Sequence, residues 1–270
     1  MTILERILNA KRAEVAAARA KTPVETVMRA AAKAPAPRDF GAAVLKADQR
    51  EIRLIAEMKK SSPSAGPIVR DYRPAKIAET YQRHGAAALS VLTDNRYFGG
   101  DLRHLAEVRT RTSLPILRKD FIFDPYQLFE SRAAGADAVL LIAEAIGAGL
   151  AGDLVPIARD LDLAVIVEVH SEANLLAILK SLGPPSPDQY LLGINNRDLT
   201  IQKTDLTTMA RLARLLPTGA EFIAESGIQS RRDVVEACRA GACAVLVGEA
   251  ILAAPDMGAK IDELLDRRSA

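Results

Sequence analysis

From residue 52 onward, short apolar runs recur along the chain, and this pattern constrains the fold more than any other feature of the sequence. The runs begin roughly 20–35 residues apart, the spacing expected when each strand is followed by a crossover helix. The eight runs are Ile52–Ala56, Ala87–Leu92, Leu114–Leu117, Ala138–Ile142, Ala164–Val167, Tyr190–Ile194, Glu221–Ala224 and Ala244–Val247. Most are continuously apolar, which is typical of parallel strands that are covered on both faces.

Helical segments lie between these runs, and several are followed by glycine. Pro74–His84, Asp124–Ala134 and Ser230–Ala240 each begin near a proline or a capping side chain. The glycine after each of them predicts a tight turn into the next strand. The sequence therefore predicts an α/β fold, a (β/α)8 barrel of the TIM type with an N-terminal helical extension. An open doubly wound sheet with extra strands is the competing fold.

The first fifty residues have a different character. Their apolar residues near one face of a 3.6-residue period, which predict a helix, are Ile3, Ile7, Leu8 and Val15. Two prolines in residues 34–37 then interrupt the chain. We predict one domain overall, with a helical extension over residues 1–50 and a catalytic barrel over residues 51–270. A helix that closes the bottom of the barrel and a helix that gates the substrate both fit the extension.

Composition indicates which classes of partner and which cellular location to expect. The formal net charge is +2, and nucleic-acid binding usually shows as a strong basic patch, so we expect no nucleic-acid partner. The chain has no run of about 20 apolar residues, and its N-terminus has no unbroken apolar segment. We therefore expect no membrane span and no signal peptide, and we predict a cytoplasmic protein that is a monomer or a weak homo-oligomer.

The cysteines and histidines give no sign of a metal site. Cys238 and Cys243 share a predicted helix-to-strand segment, so we interpret them as small packing residues rather than as a disulfide or metal ligands. The three histidines are scattered along the chain. We therefore expect no histidine-based metal cluster.

Polar residues follow the apolar runs, at the end of the barrel where the chemistry of this fold is located. The polar residues and the glycine at these strand ends are Glu57, Lys59, Lys119, Glu168, Asn195, Arg197, Glu225, Ser226 and Gly248. A single charge at a strand end usually enters solvent, but here lysines and carboxylates converge on one rim. Burial and mutual proximity shift pKa values there and prepare acid/base pairs.

The loops after the last two predicted strands indicate an anion site. Residues 225–228 and 247–250 each place glycine between a strand and helical sequence, where backbone N–H groups can approach a ligand closely. With Arg197 nearby, we interpret these loops as a phosphate-binding site rather than as two ordinary turns. Residues 60–67 are rich in Ser, Pro and Gly, and form either a flexible connection or a mobile lid. The expected partner is therefore a small phosphorylated molecule.

Five segments resemble the motifs of the indole-3-glycerol-phosphate synthase family, in the order of the family and at the predicted strand ends. They are EMKKSSPS (Glu57–Ser64), PILRKDF (Pro115–Phe121), VEVH (Val167–His170), GINNRDL (Gly193–Leu199) and AESGI (Ala224–Ile228). The resemblance extends over the whole chain. It implies conversion of 1-(2-carboxyphenylamino)-1-deoxyribulose 5-phosphate to indole-3-glycerol phosphate in tryptophan biosynthesis, with release of carbon dioxide and water and without a cofactor.

The resemblance also implies catalytic roles. Lys119 resembles the general acid that protonates the ribulose carbonyl, and Glu168 resembles the acid/base group of the dehydration. Lys59 resembles the lysine that binds the substrate carboxylate and delivers protons in the second half of the reaction. Glu57 and Asn195 resemble the groups that orient the substrate. The sequence leaves the division of acid duties between the two lysines open, because such a pair titrates as a unit.

Two binding sets follow from the resemblance. The residues implied for the phosphate are Ser62, Arg197, Ser226 (which we also place in the catalytic set), Gly227, Gly248 and the backbone of Glu249. The residues implied for the aromatic ring are Pro63, Phe98, Leu117, Phe121 and Leu246, with Glu225 near the anthranilate nitrogen.

Two positions depart from the family pattern. Glu249 stands where some members have serine. Because a carboxylate repels a phosphate, we predict that its side chain points away and that only its N–H is used. Ala65 stands where a basic residue is frequent, so we expect fewer contacts from the lid.

Other functions also fit part of the pattern. A phosphoribosylanthranilate isomerase would show a Cys or Asp acid/base pair, and an aldolase would use Lys119 as a Schiff-base nucleophile. A non-enzymatic barrel that binds a phosphorylated ligand would explain Ser226 and Gly248. It would not explain two lysines and two carboxylates that face one pocket.

Overall fold

Parallel strands form a closed barrel in the computed structural model, which describes residues 1–45, 52–201 and 203–267. The eight barrel strands in these ranges are β1 (Arg53–Met58), β2 (Ala88–Leu92), β3 (Ile116–Lys119), β4 (Ala138–Ile142), β5 (Ala164–Val169), β6 (Leu191–Asn195), β7 (Phe222–Glu225) and β8 (Ala242–Val247). Each strand pairs with its neighbours in chain order, and β1 pairs with both β2 and β8. This closure confirms the predicted barrel and excludes an open doubly wound sheet.

Helices precede, connect and surround the strands. They are α1 (Ile3–Lys21), α2 (Val24–Lys33), α3 (Phe40–Val44), α4 (Pro74–Arg83), α5 (Asn95–Phe98), α6 (Arg103–Arg109), α7 (Pro125–Ala133), α8 (Ala143–Asp160), α9 (Glu172–Leu182), α10 (Thr207–Ala213), α11 (Arg231–Arg239), α12 (Glu249–Leu252) and α13 (Met257–Leu265). The side chain of Asp124 caps α7, and Ser230 forms a capping box with Asp233 at the start of α11. Gly135 and Gly241 follow these helices with φ of 88° and 100°, the left-handed geometry that a tight turn into the next strand requires.

Alternation along the strands divides the core into two layers. Outward side chains such as Leu54 and Val167 pack against the surrounding helices. Inward side chains such as Ile55, Leu117 and Ile166 fill the barrel interior. Because side chains of a strand alternate between its two faces, each inward row continues to a residue at the carboxyl end of its strand. Interior packing therefore fixes the direction of the polar groups at the mouth.

The N-terminal helices contact both ends of the barrel. Leu4 and Ile7 of α1 border a cavity at the carboxyl end of the strands. Phe40 and Val44 of α3 pack on residues of the barrel interior, and Leu45, just after α3, lines a small pocket together with the segments that precede β6 and β7. One helix thus covers the bottom of the barrel, and another borders its mouth. The predicted boundary between residues 50 and 51 lies outside the described residues.

The described ranges contain no helix that is long and apolar enough to cross a membrane. The same ranges contain no cluster of three or more His, Cys, Asp and Glu side chains arranged to hold a metal ion. Cys243 is buried in β8 and Cys238 is half-buried in α11, and the two do not form a disulfide. The cytoplasmic location stays a prediction.

Candidate active site

A cavity of about 470 Å³ opens at the carboxyl end of the barrel, a size that suits a small ligand. The predicted site residues that line it are Glu57, Lys59, Ser62, Pro63, Phe98, Lys119, Phe121, Glu168, Asn195, Arg197, Glu225, Ser226, Gly227, Leu246, Gly248 and Glu249. Leu117 is the exception. It is fully buried. Its side chain points inward two residues before Lys119 on β3, so it packs inside the barrel instead of bordering the cavity.

Lys119 lies between two carboxylates. Its Nζ donates to Oε2 of Glu168 at 2.8 Å and to Oε2 of Glu225. The three side chains occupy the inward carboxyl ends of β3, β5 and β7. Burial alone would lower the pKa of Lys119, but the negative charges of Glu168 and Glu225 outweigh burial and raise the pKa above its ordinary value. Lys119 is therefore held as an ammonium group that can donate a proton.

The two carboxyl groups on Lys119 have opposite pKa shifts. For Glu168, burial favours the neutral form, but the charge of Lys119 and a 2.7 Å hydrogen bond from Nδ2 of Asn195 outweigh it and lower the pKa. For Glu225, burial and the negative charge of Glu168 raise the pKa to about 8, although Lys119 opposes the shift. The pair therefore holds one proton near neutral pH, with Glu225 as its carrier and Glu168 ionised.

A second ammonium group has its own carboxylate. Nζ of Lys59 donates to Oε1 of Glu57 at 2.6 Å, and their side chains are only 13% and 8% exposed. Glu57 lies against Gly248, where an added Cβ would come within 2.6 Å of Oε1. A side chain at this position would therefore have to displace Glu57, because of this close approach rather than because of the φ angle of Gly248. Lys59 and Lys119 at the mouth of the barrel are thus held by separate sets of carboxyl groups.

Arg197 connects three loops at another part of the cavity. Its Nη1 donates to Oγ of Ser64 at 2.7 Å, its Nε donates to Oγ1 of Thr204 at 3.3 Å, and its Nη2 lies 3.6 Å from Oε2 of Glu249. Ser64 belongs to the loop after β1, in which residues 61–62 pair with residues 66–67 as a short antiparallel hairpin. That Glu249 points away from a bound phosphate stays a prediction. Its carboxylate approaches Arg197, because the guanidinium supplies the attracting positive charge.

Ser226 and Gly227 form a strained turn after β7. Both have left-handed backbone angles, with φ of 63° and 81°. A residue other than glycine in this region costs on the order of 1–3 kcal/mol, and such strain clusters at ligand sites. Nδ2 of Asn196 donates to the carbonyl oxygen of Ser226 at 3.1 Å and holds the turn in place. The turn borders the same cavity as Arg197.

Part of the cavity wall is apolar. The apolar side chains that line it include Leu4, Ile7, Leu92, Phe98, Phe121, Leu140, Ile142 and Leu246. The rings of Phe98 and Phe121 lie 6.2 Å apart between centroids, which is within the range of a favourable aromatic contact. Charged donors, a guanidinium and an apolar wall in one cavity suit a ligand that combines an aromatic ring with an anionic group.

Several residues that line the cavity were not among the predicted site residues. Leu140 and Ile142 lie on the inward face of β4, and alternation from Ala138 would find them. Asp120 directly follows Lys119 and could have been found as part of the same strand end. Lys260 of α13 also lines the cavity, but nothing near it in the sequence relates it to a strand end.

A buried ionic network next to the cavity ties α1 to the barrel. Lys11 is 1% exposed, and its Nζ lies 2.9 Å from a carboxylate oxygen of both Asp94 and Asp120. Asp120 also lies 3.0 Å from Arg118 and accepts a hydrogen bond from Thr93. Burial raises the pKa of Asp120, but the charges of Arg118 and Lys11 outweigh it and lower the pKa to about 2. The network fixes the backbone next to Lys119.

Comparisons with known proteins show which family the chain resembles. The family model described as indole-3-glycerol phosphate synthase matches residues 4–264. An indole-3-glycerol phosphate synthase from Albidiferax ferrireducens is 48% identical over 97% of this chain and 97% of the relative. One from Roseiflexus sp. is 44% identical over 97% of this chain and 98% of the relative.

Solved structures share the fold at low sequence identity. A mutant tryptophan synthase alpha-subunit from Pyrococcus furiosus has a TM-score of 0.56 at 15% identity and covers 79% of this chain and 98% of its own. An orotidine 5'-phosphate decarboxylase from Pyrococcus horikoshii has a TM-score of 0.54 at 18% identity and covers 78% of this chain and 98% of its own. The family model and these relatives match the chain over nearly its whole length, so the chain belongs to the indole-3-glycerol phosphate synthase family.

Proposed function

We propose that this protein converts 1-(2-carboxyphenylamino)-1-deoxyribulose 5-phosphate to indole-3-glycerol phosphate. The reaction closes the indole ring and releases one carbon dioxide and one water, which makes the protein a carboxy-lyase of tryptophan biosynthesis. The observation that carries the assignment of roles is the pair of separate ammonium groups at the barrel mouth. Lys119 is held by Glu168 and Glu225, and Lys59 is held by Glu57.

The parts of the substrate match the parts of the cavity. We assign the phosphate to Arg197 and its surroundings, because a guanidinium binds phosphate oxygens through paired N–H donors. The residues assigned to the phosphate with it are Ser62, Ser226, Gly227, Gly248 and the N–H of Glu249. The aromatic ring is assigned to Pro63, Phe98, Phe121 and Leu246. The substrate carboxylate is assigned to Lys59, which exchanges its partner Glu57 for the ligand.

Ring closure is the first chemical step, and Lys119 is its acid. The aromatic carbon that carries the carboxylate attacks the ribulose carbonyl carbon, and the carbonyl π bond opens towards oxygen. Nζ of Lys119 gives a proton to that oxygen as negative charge develops on it. The bond to the carboxylate then breaks, its electron pair returns to the ring, and carbon dioxide leaves. Asn195 and Glu57 orient the substrate, and Glu225 lies near its nitrogen.

Dehydration completes the indole. The C–O bond to the new hydroxyl group breaks, a lysine ammonium protonates the leaving oxygen, and Glu168 accepts the proton lost from the neighbouring carbon. Glu168 suits this role because its lowered pKa keeps it ionised. Lys59 is the second source of protons, because it directly follows β1 and pairs with Glu57 rather than with the two carboxyl groups that contact Lys119.

The geometry disfavours the aldolase alternative. A Schiff-base lysine must lose its proton before its nitrogen can attack a carbonyl. Lys119 contacts two carboxyl groups, and they raise its pKa, which favours an acid over a nucleophile. The monomeric or weakly oligomeric state and the lack of a nucleic-acid partner stay predictions.

The direct test is formation of indole. The purified protein is incubated with the carboxyphenylamino-ribulose phosphate, and indole absorbance and released carbon dioxide are followed together. The chain contains no Trp, so the protein background in the indole range is low. We expect the two products in equal amounts. A folded protein that produces neither at high substrate concentration would overturn the proposed function.

A further inference from the structure

The Arg197 part of the cavity contains a carboxylate that the proposed binding of phosphate does not use. Oε2 of Glu249 lies 3.6 Å from Nη2 of Arg197, and both residues line the cavity. We propose that Glu249 competes with the substrate phosphate for Arg197 and so sets the affinity of this site for anions. The inference rests on the proposed function, in which the phosphate binds at Arg197.

The contacts of Arg197 show why Glu249 is the competitor. Ser64 and Thr204 occupy Nη1 and Nε, and both are neutral hydroxyl groups that a bound phosphate can leave in place. Glu249 is the charged partner at Nη2. A phosphate that binds the guanidinium through two N–H groups therefore takes the position of a carboxylate.

The ion pair between Glu249 and Arg197 is loose enough for a phosphate to displace the carboxylate. Its side chain is 47% exposed, whereas that of Arg197 is 23% exposed. The 3.6 Å separation makes the contact an ion pair without a short hydrogen bond. When the phosphate arrives, the carboxylate can turn into solvent at little cost. If it stayed, two negative charges would share one guanidinium and repel each other.

The expected size of the effect follows from this exposure. An ion pair at the surface shifts an equilibrium by a factor of up to about 5. Loss of the repulsion between Glu249 and the phosphate adds to this factor. We therefore expect removal of the charge to strengthen phosphate binding by about 3- to 10-fold, and the gain to shrink as salt screens both interactions.

The test compares Glu249→Gln with Glu236→Gln. Glu236 is a matched control because it is 54% exposed, pairs with Arg239 on α11 and lies away from the cavity. Steady-state kinetics give the KM for the substrate, and calorimetry gives the Kd for inorganic phosphate. For Glu249→Gln we expect both constants to fall by about 3- to 10-fold at low salt, with a smaller change at about 0.5 M salt. For Glu236→Gln we expect both to stay at the wild-type values.

Two outcomes would overturn the inference. Unchanged constants in Glu249→Gln would show that the carboxylate does not compete. Raised constants would show that Glu249 instead orients Arg197 for the phosphate. Failure of the proposed function is a separate result, because wild-type protein would then produce no indole. The calorimetry with inorganic phosphate tests Glu249 in either case, since it needs no turnover.

Discussion

Nζ of Lys119 lies 2.8 Å from Oε2 of Glu168, so an ion pair joins the ends of β3 and β5 although β4 lies between the two strands. Each residue follows an inward apolar residue by two positions, Leu117 on β3 and Ile166 on β5. The same alternation that fills the barrel interior therefore directs an acid and a base to one point at its mouth.

The first prediction concerns this pair. Lys119→Ala and Glu168→Gln should each lower kcat by at least about 10²- to 10⁴-fold, because each removes one proton-transfer group. Indole absorbance under saturating substrate measures the loss, and circular dichroism verifies the fold. Lys180→Ala, at an exposed position of α9, is the control and should keep wild-type turnover. Near-normal turnover in either site variant would remove the assigned role.

The second prediction concerns Glu225 and the dependence of stability on pH. Its pKa is raised from 4.5 to about 8 in the folded protein, so the folded chain keeps a proton that the unfolded chain has lost. The stabilisation from this proton is complete below pH 4.5 and is lost as the pH rises to about 8. Glu225→Gln removes that loss, so its free energy of unfolding should fall less than that of wild type across this range.

Urea unfolding at a series of pH values measures the difference. The comparison concerns slopes, because the substitution also changes the contacts of Lys119 at every pH. Parallel curves for wild type and Glu225→Gln would show that Glu225 does not carry the proton.

The third prediction concerns the link between α1 and the barrel. Lys11→Met should lower the free energy of unfolding by about 3–5 kcal/mol, because it leaves Asp94 buried without its cationic partner and leaves Asp120 with Arg118 as its remaining cation. Chemical denaturation measures the change. Lys21→Met, at the exposed end of the same helix, should change stability by less than about 0.5 kcal/mol. Equal stability of the two variants would contradict a stabilising role for Lys11.

The strand-end residues of the site could be predicted from the sequence, because the twofold periodicity of a strand is local and survives without knowledge of the fold. Lys11 could not be predicted in this way. It lies on the apolar face of α1, and its partners Asp94 and Asp120 are distant in the chain, so only the closed barrel brings them together. Lys260 could not be predicted either, because only the fold brings α13 to the cavity.

The position of Glu249 shows a different limit of sequence reasoning. Repulsion between a carboxylate and a phosphate is a sound rule for a liganded site, and it predicts a side chain that points away. In the structure, Arg197 supplies a positive charge close to Glu249, and the attraction between the two side chains determines the position of the carboxylate. Leu117 was misplaced for another reason, its depth in the barrel. Lys119 lines the cavity, but the preceding inward residue of β3, Leu117, already belongs to the core.

The last prediction concerns the glycine beside Glu57. A Cβ added at Gly248 would lie 2.6 Å from Oε1 of Glu57 and 3.1 Å from its Cβ, so Gly248→Ala must displace this carboxylate and with it Lys59. Because a misplacement of about 1 Å can cost about 100-fold in rate, we expect kcat/KM to fall by about 10- to 100-fold. Gly149→Ala, where the added Cβ meets nothing within 4 Å, should keep wild-type activity. If Gly248→Ala retains full activity, Glu57 does not need its observed position for catalysis.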